Sequence, residues 1–240
     1  MAAGREKTEV GGLHKTGLDV AEPGPALGQG PVRWVYFQPR LPRHRDGLGR
    51  VAPSHRNDEV DTPRHVALLR AINVGGHTVR MDQLRALFEA LSFKNVSTFI
   101  ASGNVLFQAS SRGAEAGLER KIERHLEQSL GFEVATFLRA PAELNALISR
   151  EAFSASVIQK AHALWIAFLK APLSPEARDR VMALACETDD FRVHGREIHW
   201  LRRATSSEAL VSGAALEKAI GAPMTARNIT TVRKLAAMGS

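Results

Sequence analysis

The 240-residue chain contains a single cysteine, Cys186. An intrachain disulfide is therefore impossible, and a cysteine-rich zinc site is excluded. No stretch of about 18 apolar residues occurs, so no membrane span is expected. The opening MAAGREKTEV lacks the apolar core of a secretory signal. A reducing, cytoplasmic setting fits these absences. Aromatic residues are sparse, with three Trp and one Tyr, and no interleaving of aromatic and basic residues resembles an RNA-recognition strand. No Gly-x-Ser-x-Gly elbow is present. The histidines form no ligand cluster. His194 and His199 flank one turn, and His65, His77, His125 and His162 are scattered. Neither a metal nor a cofactor is expected.

What is present is an ample apolar fraction, 44%, and a net charge of +7. The excess is spread along the chain. Lys and Arg outnumber Asp and Glu by nine to eight in residues 1–62, by 11 to 8 in 63–150 and by 12 to 9 in 151–240. A duplex-DNA binder usually concentrates its basic residues in one patch or tail. A mild, distributed surplus favours anionic ligands in general and none in particular.

Residues 1–62 differ from the rest. GGLHKTGLDVAEPGPALGQGPVRW is rich in Gly and Pro, and PRLPRHRDGLGRVAPSHRNDEVDTP is polar and basic. Such segments bury too little apolar surface to offset their conformational entropy, so a disordered extension is expected. RWVYFQ (33–38) is the one sticky segment within it. No Met lies between Met1 and Met81, so a shorter native form would start at a non-Met codon, such as that of Val51 or Val60.

Order is expected from HVALLRAI onward, whose apolar run at Val66–Leu69 suits a strand covered on both faces. Met81, Leu84, Phe88 and Leu91 recur at helical spacing. VSTFIASGNVLFQAS returns to β-type residues, with Ser102-Gly103-Asn104 as a hairpin turn or bend. Leu118, Ile122, Leu126 and Leu130 mark a second helix that stops at Gly131. FEVATFLRA reads as a strand, and Pro141 opens a further helix. In the second part, AHALWIAFLKA reads as a strand. SPEARDRVMALACE reads as a helix capped by Ser174, with Cys186 as a small core residue inside it. FRVHGREIHWLRR reads as a hairpin turning at Gly195, with Asp189-Asp190 as a preceding turn. SGAALEKAIG and MTARNITTVRKLAAM read as helices, the last capped by Thr225. This order predicts an α+β protein of two ferredoxin-like halves with antiparallel sheets, residues 63–153 and 154–240. The first half has its closing strand; the second lacks a visible one.

Three polar stretches carry the functional question. NVGGHTV stands between strand and helix, where phosphates often bind. It lacks the Lys-Ser/Thr ending of a Walker loop and the third glycine of the dinucleotide fingerprint. Gly75 and Gly76 serve either a turn or a ligand, and Arg70 needs either an internal carboxylate or a ligand. His77 is the one titrating group in that loop. Ser102 and Asn104 serve either their own turn or a ligand. A helix capped at Thr225 would aim the amides of Ala226, Arg227 and Asn228 at an anion, with Arg227, Thr231 and Lys234 along one side.

ALLRAINVGG, FIASGNVLF and TARNITTVRKL, in this order, resemble the three signature stretches of a bacterial family of unknown function, domain-of-unknown-function family 1697. The resemblance spans about Val66 to Met238. It implies a cytoplasmic two-part α+β protein of ferredoxin-like halves and no established activity, cofactor or substrate. The family usually has Gly where Ala71 stands and Trp where Ile229 stands. The resemblance singles out Arg70, Asn73, Gly75, Gly76, Ser102, Gly103, Asn104, Arg227, Asn228 and Thr231, types that an apolar core does not need. The expectation is that they converge on one cleft between the halves and hold a small anionic or phosphorylated ligand. The alternative is a non-enzymatic module that binds nucleic acid or protein.

Overall fold

A computed structural model describes residues 62–73, 78–109, 115–205 and 207–239. The N-terminal extension, RWVYFQ, the candidate starts Val51 and Val60, Gly75, Gly76 and His77 lie outside the described residues. The first half runs β1 (Arg64–Leu69), α1 (Met81–Ala90), β2 (Lys94–Phe99), β3 (Asn104–Gln108), α2 (Glu115–Leu130) and β4 (Thr136–Arg139). Helices α3 (Pro141–Ser149) and α4 (Ala155–Gln159) follow. The second half runs β5 (Ala163–Phe168), α5 (Pro175–Met182), β6 (Asp189–His194), β7 (Glu197–Arg202), α6 (Gly213–Ile220) and β8 (Thr225–Asn228), and α7 (Ile229–Gly239) closes the chain.

Both sheets are antiparallel and share one topology. Their orders, β2-β3-β1-β4 and β6-β7-β5-β8, are the ferredoxin-like arrangement twice. The central strand of each is apolar on both faces because each face is covered. In the first sheet Ala67, Leu69, Val105, Phe107 and Leu138 pack under α1 and α2. Val66, Leu68, Leu106 and Phe137, one residue out of step, face the other way. There they share a core with Ile166 and Phe168 of the second sheet, Leu144 and Leu147 of α3, and Val232 and Leu235 of α7. In the second sheet, Ala167, Phe191, Ile198 and Trp200 pack with α5 and α6. The period of two along each strand thus separates two outer cores from one that joins the halves.

The edge of β4 away from β1 would expose backbone donors. Carboxylates close it. Thr136 N donates to Glu123 Oε1 (2.7 Å), Leu138 N to Glu119 Oε1 (3.0 Å) and Ala140 N to Glu143 Oε2 (2.7 Å). Glu119 is buried, and desolvation raises its pKa.

Several expectations need correction. TARN is an edge strand paired with β5, not the start of a helix. The last helix begins at Ile229, and the Asn228 Oδ1 accepts from Thr230 N (2.9 Å). Thr225 is therefore not its cap, and Arg227 does not share a helical face with Thr231 and Lys234. Pairing along β5 supplies more to this short segment than helix propensity can. It also gives the second half the closing strand that its sequence does not advertise. Helix α5 ends at Met182, so Cys186 lies beyond it, in a turn where its N donates to Asp189 O (2.9 Å). Asp189 and Asp190 open β6 rather than forming a turn, and the buried Asp189 carboxylate accepts from Trp200 Nε1 (2.7 Å). Helix α4 was not anticipated. The hairpin at Gly195, the stop at Gly131 and the Ser174 cap are as read, with φ of +58° and +80° at the two glycines.

Candidate functional site

The end of β1, the β2–β3 turn and β8 meet. Arg227 lies in the middle of β8, and its side chain crosses to the first half, where it is 7% exposed. Its Nε donates to Asn104 Oδ1 (2.6 Å), and its Nη1 to Thr225 Oγ1 (2.8 Å) and Ala226 O (2.9 Å). Its Nη2 donates to Leu69 O (2.8 Å), Ser102 O (2.8 Å) and Gly103 O (3.3 Å). Five N–H groups thus meet six protein acceptors, so the guanidinium is consumed internally. Burial lowers its pKa to about 10.

The turn is shaped to receive it. Asn104 is fully buried, and its Nδ2 donates to Phe99 O and Ser102 Oγ, both at 3.0 Å. That orientation leaves Oδ1 to Arg227. Gly103 has φ +72°, and a Cβ there would stand 2.9 Å from Ile72 Cβ. The residue must be glycine for both reasons.

Asn73 ties the third stretch to the same place. Its Nδ2 donates to Ala101 O (2.8 Å) and Val79 O (3.2 Å), and its Oδ1 accepts from Val79 N (2.7 Å). Asn73 and Ala71 have φ of +57° and +67°. Left-handed backbone at residue 71 suits the glycine usual there; the Cβ of Ala71 is borne at a conformational cost. Arg70 directly follows β1 rather than lying inside it. It is exposed, and its Nη2 pairs with Glu217 Oε2 of α6 (2.9 Å). Asn228 caps α7, and Thr231 is half-buried in that helix's first turn. The described parts of the three stretches therefore converge, chiefly by bonding one another.

A second latch mirrors the first, and sequence reasoning did not find it. Arg139, in β4, is opposite Val66 as Arg227, in β8, is opposite Ile166. Its Nε donates to Glu197 Oε1 (2.6 Å), its Nη1 to Leu138 O (2.6 Å), and its Nη2 to Leu169 O (2.8 Å) and Arg196 O (3.2 Å). Each closing strand thus sends one arginine across to the other half. It reaches the end of that half's first strand and the turn of its hairpin. The backbone bonds at those targets also match: Leu69 N to Gly103 O (2.8 Å) and Leu169 N to Arg196 O (2.9 Å). The only prior signal for Arg139 was a lone arginine ending the apolar run ATFL. Desolvation lowers the pKa of Arg139, and the carboxylate of Glu197 opposes it.

The latches differ in charge. Around Arg139, Arg196 pairs with Glu115 (2.8 Å) and Glu143 (2.7 Å), so two cations stand with three carboxylates, Glu197 included. Around Arg227, the partner equivalent to Glu197 is the neutral Asn104, and among the described residues Arg70 pairs with Glu217 alone.

The model of a family described as "protein of unknown function (DUF1697)" matches residues 63–199. The chain belongs to the DUF1697 family. Among solved structures it is similar to a conserved bacterial protein from Streptococcus pneumoniae, at 24% identity with a TM-score of 0.57. The match covers 74% of this chain and 98% of that one. At that identity the likeness supports the fold alone. No curated protein matches the chain. Among the described residues no cluster of His, Cys, Asp or Glu has metal-site geometry, and no helix is long and apolar enough to cross a membrane.

Proposed function

We propose that this DUF1697 protein binds a small anion, of the phosphate or carboxylate class, at the surface over the Arg227 latch between its halves. The observation that carries this reading is the charge mismatch between two latches that otherwise match. A buried guanidinium surrounded by neutral acceptors keeps an uncompensated field, because low-dielectric surroundings screen it poorly. Arg227 cannot reach a ligand without breaking its own bonds, so it acts through that field. Direct contact falls to Arg70, whose side chain is 44% exposed, and Ser102, in the turn that Arg227 reaches, offers a hydroxyl donor. Asn73, Gly103, Asn104, Asn228 and Thr231 shape the site rather than touch the anion.

Thermal-shift and calorimetric titration of the full chain with inorganic phosphate, nucleotides and short carboxylates tests this. Saturable stabilisation is expected in the wild type, lost in Arg70→Gln and strengthened in Glu217→Gln, which removes a competing carboxylate. No response to any of these anions, or one indifferent to both substitutions, sinks the reading.

A second reading rests on α2. Arg120, Lys121, Arg124 and His125 line an open groove of about 340 Å³ along that helix, a surface suited to a nucleic-acid backbone. Oligonucleotide binding with a steep salt dependence, abolished in Arg120→Gln/Arg124→Gln and untouched by Arg70→Gln, would favour it over the first.

A further inference from the structure

The two halves close the outer edges of their sheets differently. Along β4, Glu123, Glu119 and Glu143 accept in turn from Thr136 N, Leu138 N and Ala140 N. The second half repeats only the first of these bonds among the described residues. Glu217 Oε1 accepts from Met224 N (3.4 Å) while its Oε2 pairs with Arg70, just as Glu123 Oε1 serves Thr136 N and Lys170. With Glu217 set on Glu123, the buried Leu216 and Ile220 of α6 coincide with the buried Ile122 and Leu126 of α2. Gly213 then stands where α2 has Glu119. With Arg227 set on Arg139, Ala226 and Asn228 coincide with Leu138 and Ala140, and Thr231 with Glu143. Two of the three closing carboxylates are therefore missing from the second half.

Their donors remain. Leu169, one residue past β5, sends its N–H toward β7, to Arg196 O. Alternation along β5 therefore turns Ile166 and Phe168 toward β8. Their partners Arg227 and Thr225 face β5, and Ala226 and Asn228 face away from it. Both residues are half-buried, and neither backbone N–H has a hydrogen-bond partner among the described residues.

An ordinary strand edge offers carbonyls as well as amides, and an added strand needs both. Here Ala226 O already accepts from Arg227 Nη1 (2.9 Å), so Ala226 presents a donor alone. Donors without acceptors select an anion over a peptide strand. Arg227 sets a positive field beside them, as Arg139 does beside Glu119. The space of the missing glutamate is also free: a Cβ on Gly213 would meet only Met224 Cε, at 3.9 Å.

We propose that the outer edge of β8 binds a small linear dicarboxylate, whose two carboxylates take the places of Glu119 and Glu143 and accept from Ala226 N and Asn228 N. Two residues along a strand span about 6.6 Å. A diacid bridges that span with about three or four carbons between its carboxyl groups. The site is separate from the contact at Arg70 and does not depend on it.

The test is backbone-amide nuclear magnetic resonance of the ¹⁵N-labelled full chain, titrated with glutarate, adipate, acetate and inorganic phosphate. At least one of the two diacids should shift the amide signals of Ala226 and Asn228 saturably, and acetate should bind about tenfold more weakly. Gly213→Glu and Thr231→Glu restore the carboxylates of the first half, the second by completing a capping box with Asn228. Each should weaken the diacid by about tenfold or more, whereas Gly213→Ala should leave it unchanged. Amide signals that neither diacid moves, as expected if water alone serves this edge, would overturn the proposal. So would binding that survives both glutamate substitutions, or that acetate equals. A phosphate response that depends on Arg70, without movement at Ala226 and Asn228 by either diacid, would refute this site and leave the Arg70 reading standing.

Discussion

Replacing Arg227 by methionine removes five donors from six acceptors while keeping most of the side-chain volume. Taken at about 1–1.5 kcal/mol net for each of the six contacts, the range of ordinary hydrogen bonds because five donors are shared among six acceptors, the gross loss is roughly 6–9 kcal/mol. One term returns. The burial that brings the pKa of Arg227 from 12.5 to about 10 corresponds to roughly 3 kcal/mol of desolvation, which methionine does not incur. The expected net destabilisation is therefore about 3–6 kcal/mol, in line with the cost of breaking a buried charged network. Urea denaturation with linear extrapolation measures it. At about 2–4 °C per kcal/mol for a domain of this size, melting should fall by roughly 10 °C or more. Arg227→Lys is the control. Its ammonium keeps the charge but has three donors on a point centre and cannot span Asn104, Leu69 and Ser102 together. It should recover less than half of the loss. A methionine variant within 1 kcal/mol of wild type, or a lysine variant equal to it, would refute the idea that bonding geometry at Arg227 joins the halves.

Four further outcomes are expected. Ala71→Gly should stabilise the protein by up to about 1 kcal/mol, because φ is +67° there, whereas Gly103→Ala should cost about 2–4 kcal/mol through strain and the 2.9 Å approach to Ile72; equal effects in denaturation would contradict both. Glu197→Gln should cost less than Glu197→Ala, because Asn104 already serves Arg227 as a neutral acceptor in the mirrored latch; the reverse order would break the equivalence. Burial, with His194 and Arg150 adding positive charge, lowers the pKa of His199 from 6.5 to about 4. Below pH 6.5 the unfolded chain takes up a proton that the folded chain refuses, so stability falls between pH 6.5 and about 4, by at most roughly 3 kcal/mol. His199→Leu should flatten that part of the stability–pH curve, and an unchanged slope would show that other groups carry it.

The legible parts of the sequence were those set by local physics. Apolar spacing placed α1 and α2, and Gly195, Gly131 and Ser174 marked a turn, a stop and a cap because each satisfies a backbone need within a few residues. TARN was misread because its four residues owe their extended form to β5, some 60 positions earlier in the chain. Asn104 and Arg227 were legible as unusual types for a core, and their convergence was expected. Their roles were not, since Arg227 spends its donors on carbonyls that no sequence pattern specifies. Arg139 went unnoticed for the same reason, as its acceptors Leu169 and Arg196 are ordinary positions whose backbone happens to face it.

By itself, then, the sequence determined the class: two α+β halves without an intrachain disulfide, with glycine or polar residues where the backbone bends. Periodicity, turn chemistry and composition act over short stretches of chain, which is why those features can be read in one dimension. The tertiary structure decided how the halves are joined and which groups are left unmatched. Two crossed arginines, and the neutral Asn104 beside one of them where the other has Glu197, depend on residues 30 or more positions apart. Burial and hydrogen-bond accounting become definite only when such residues share the same space.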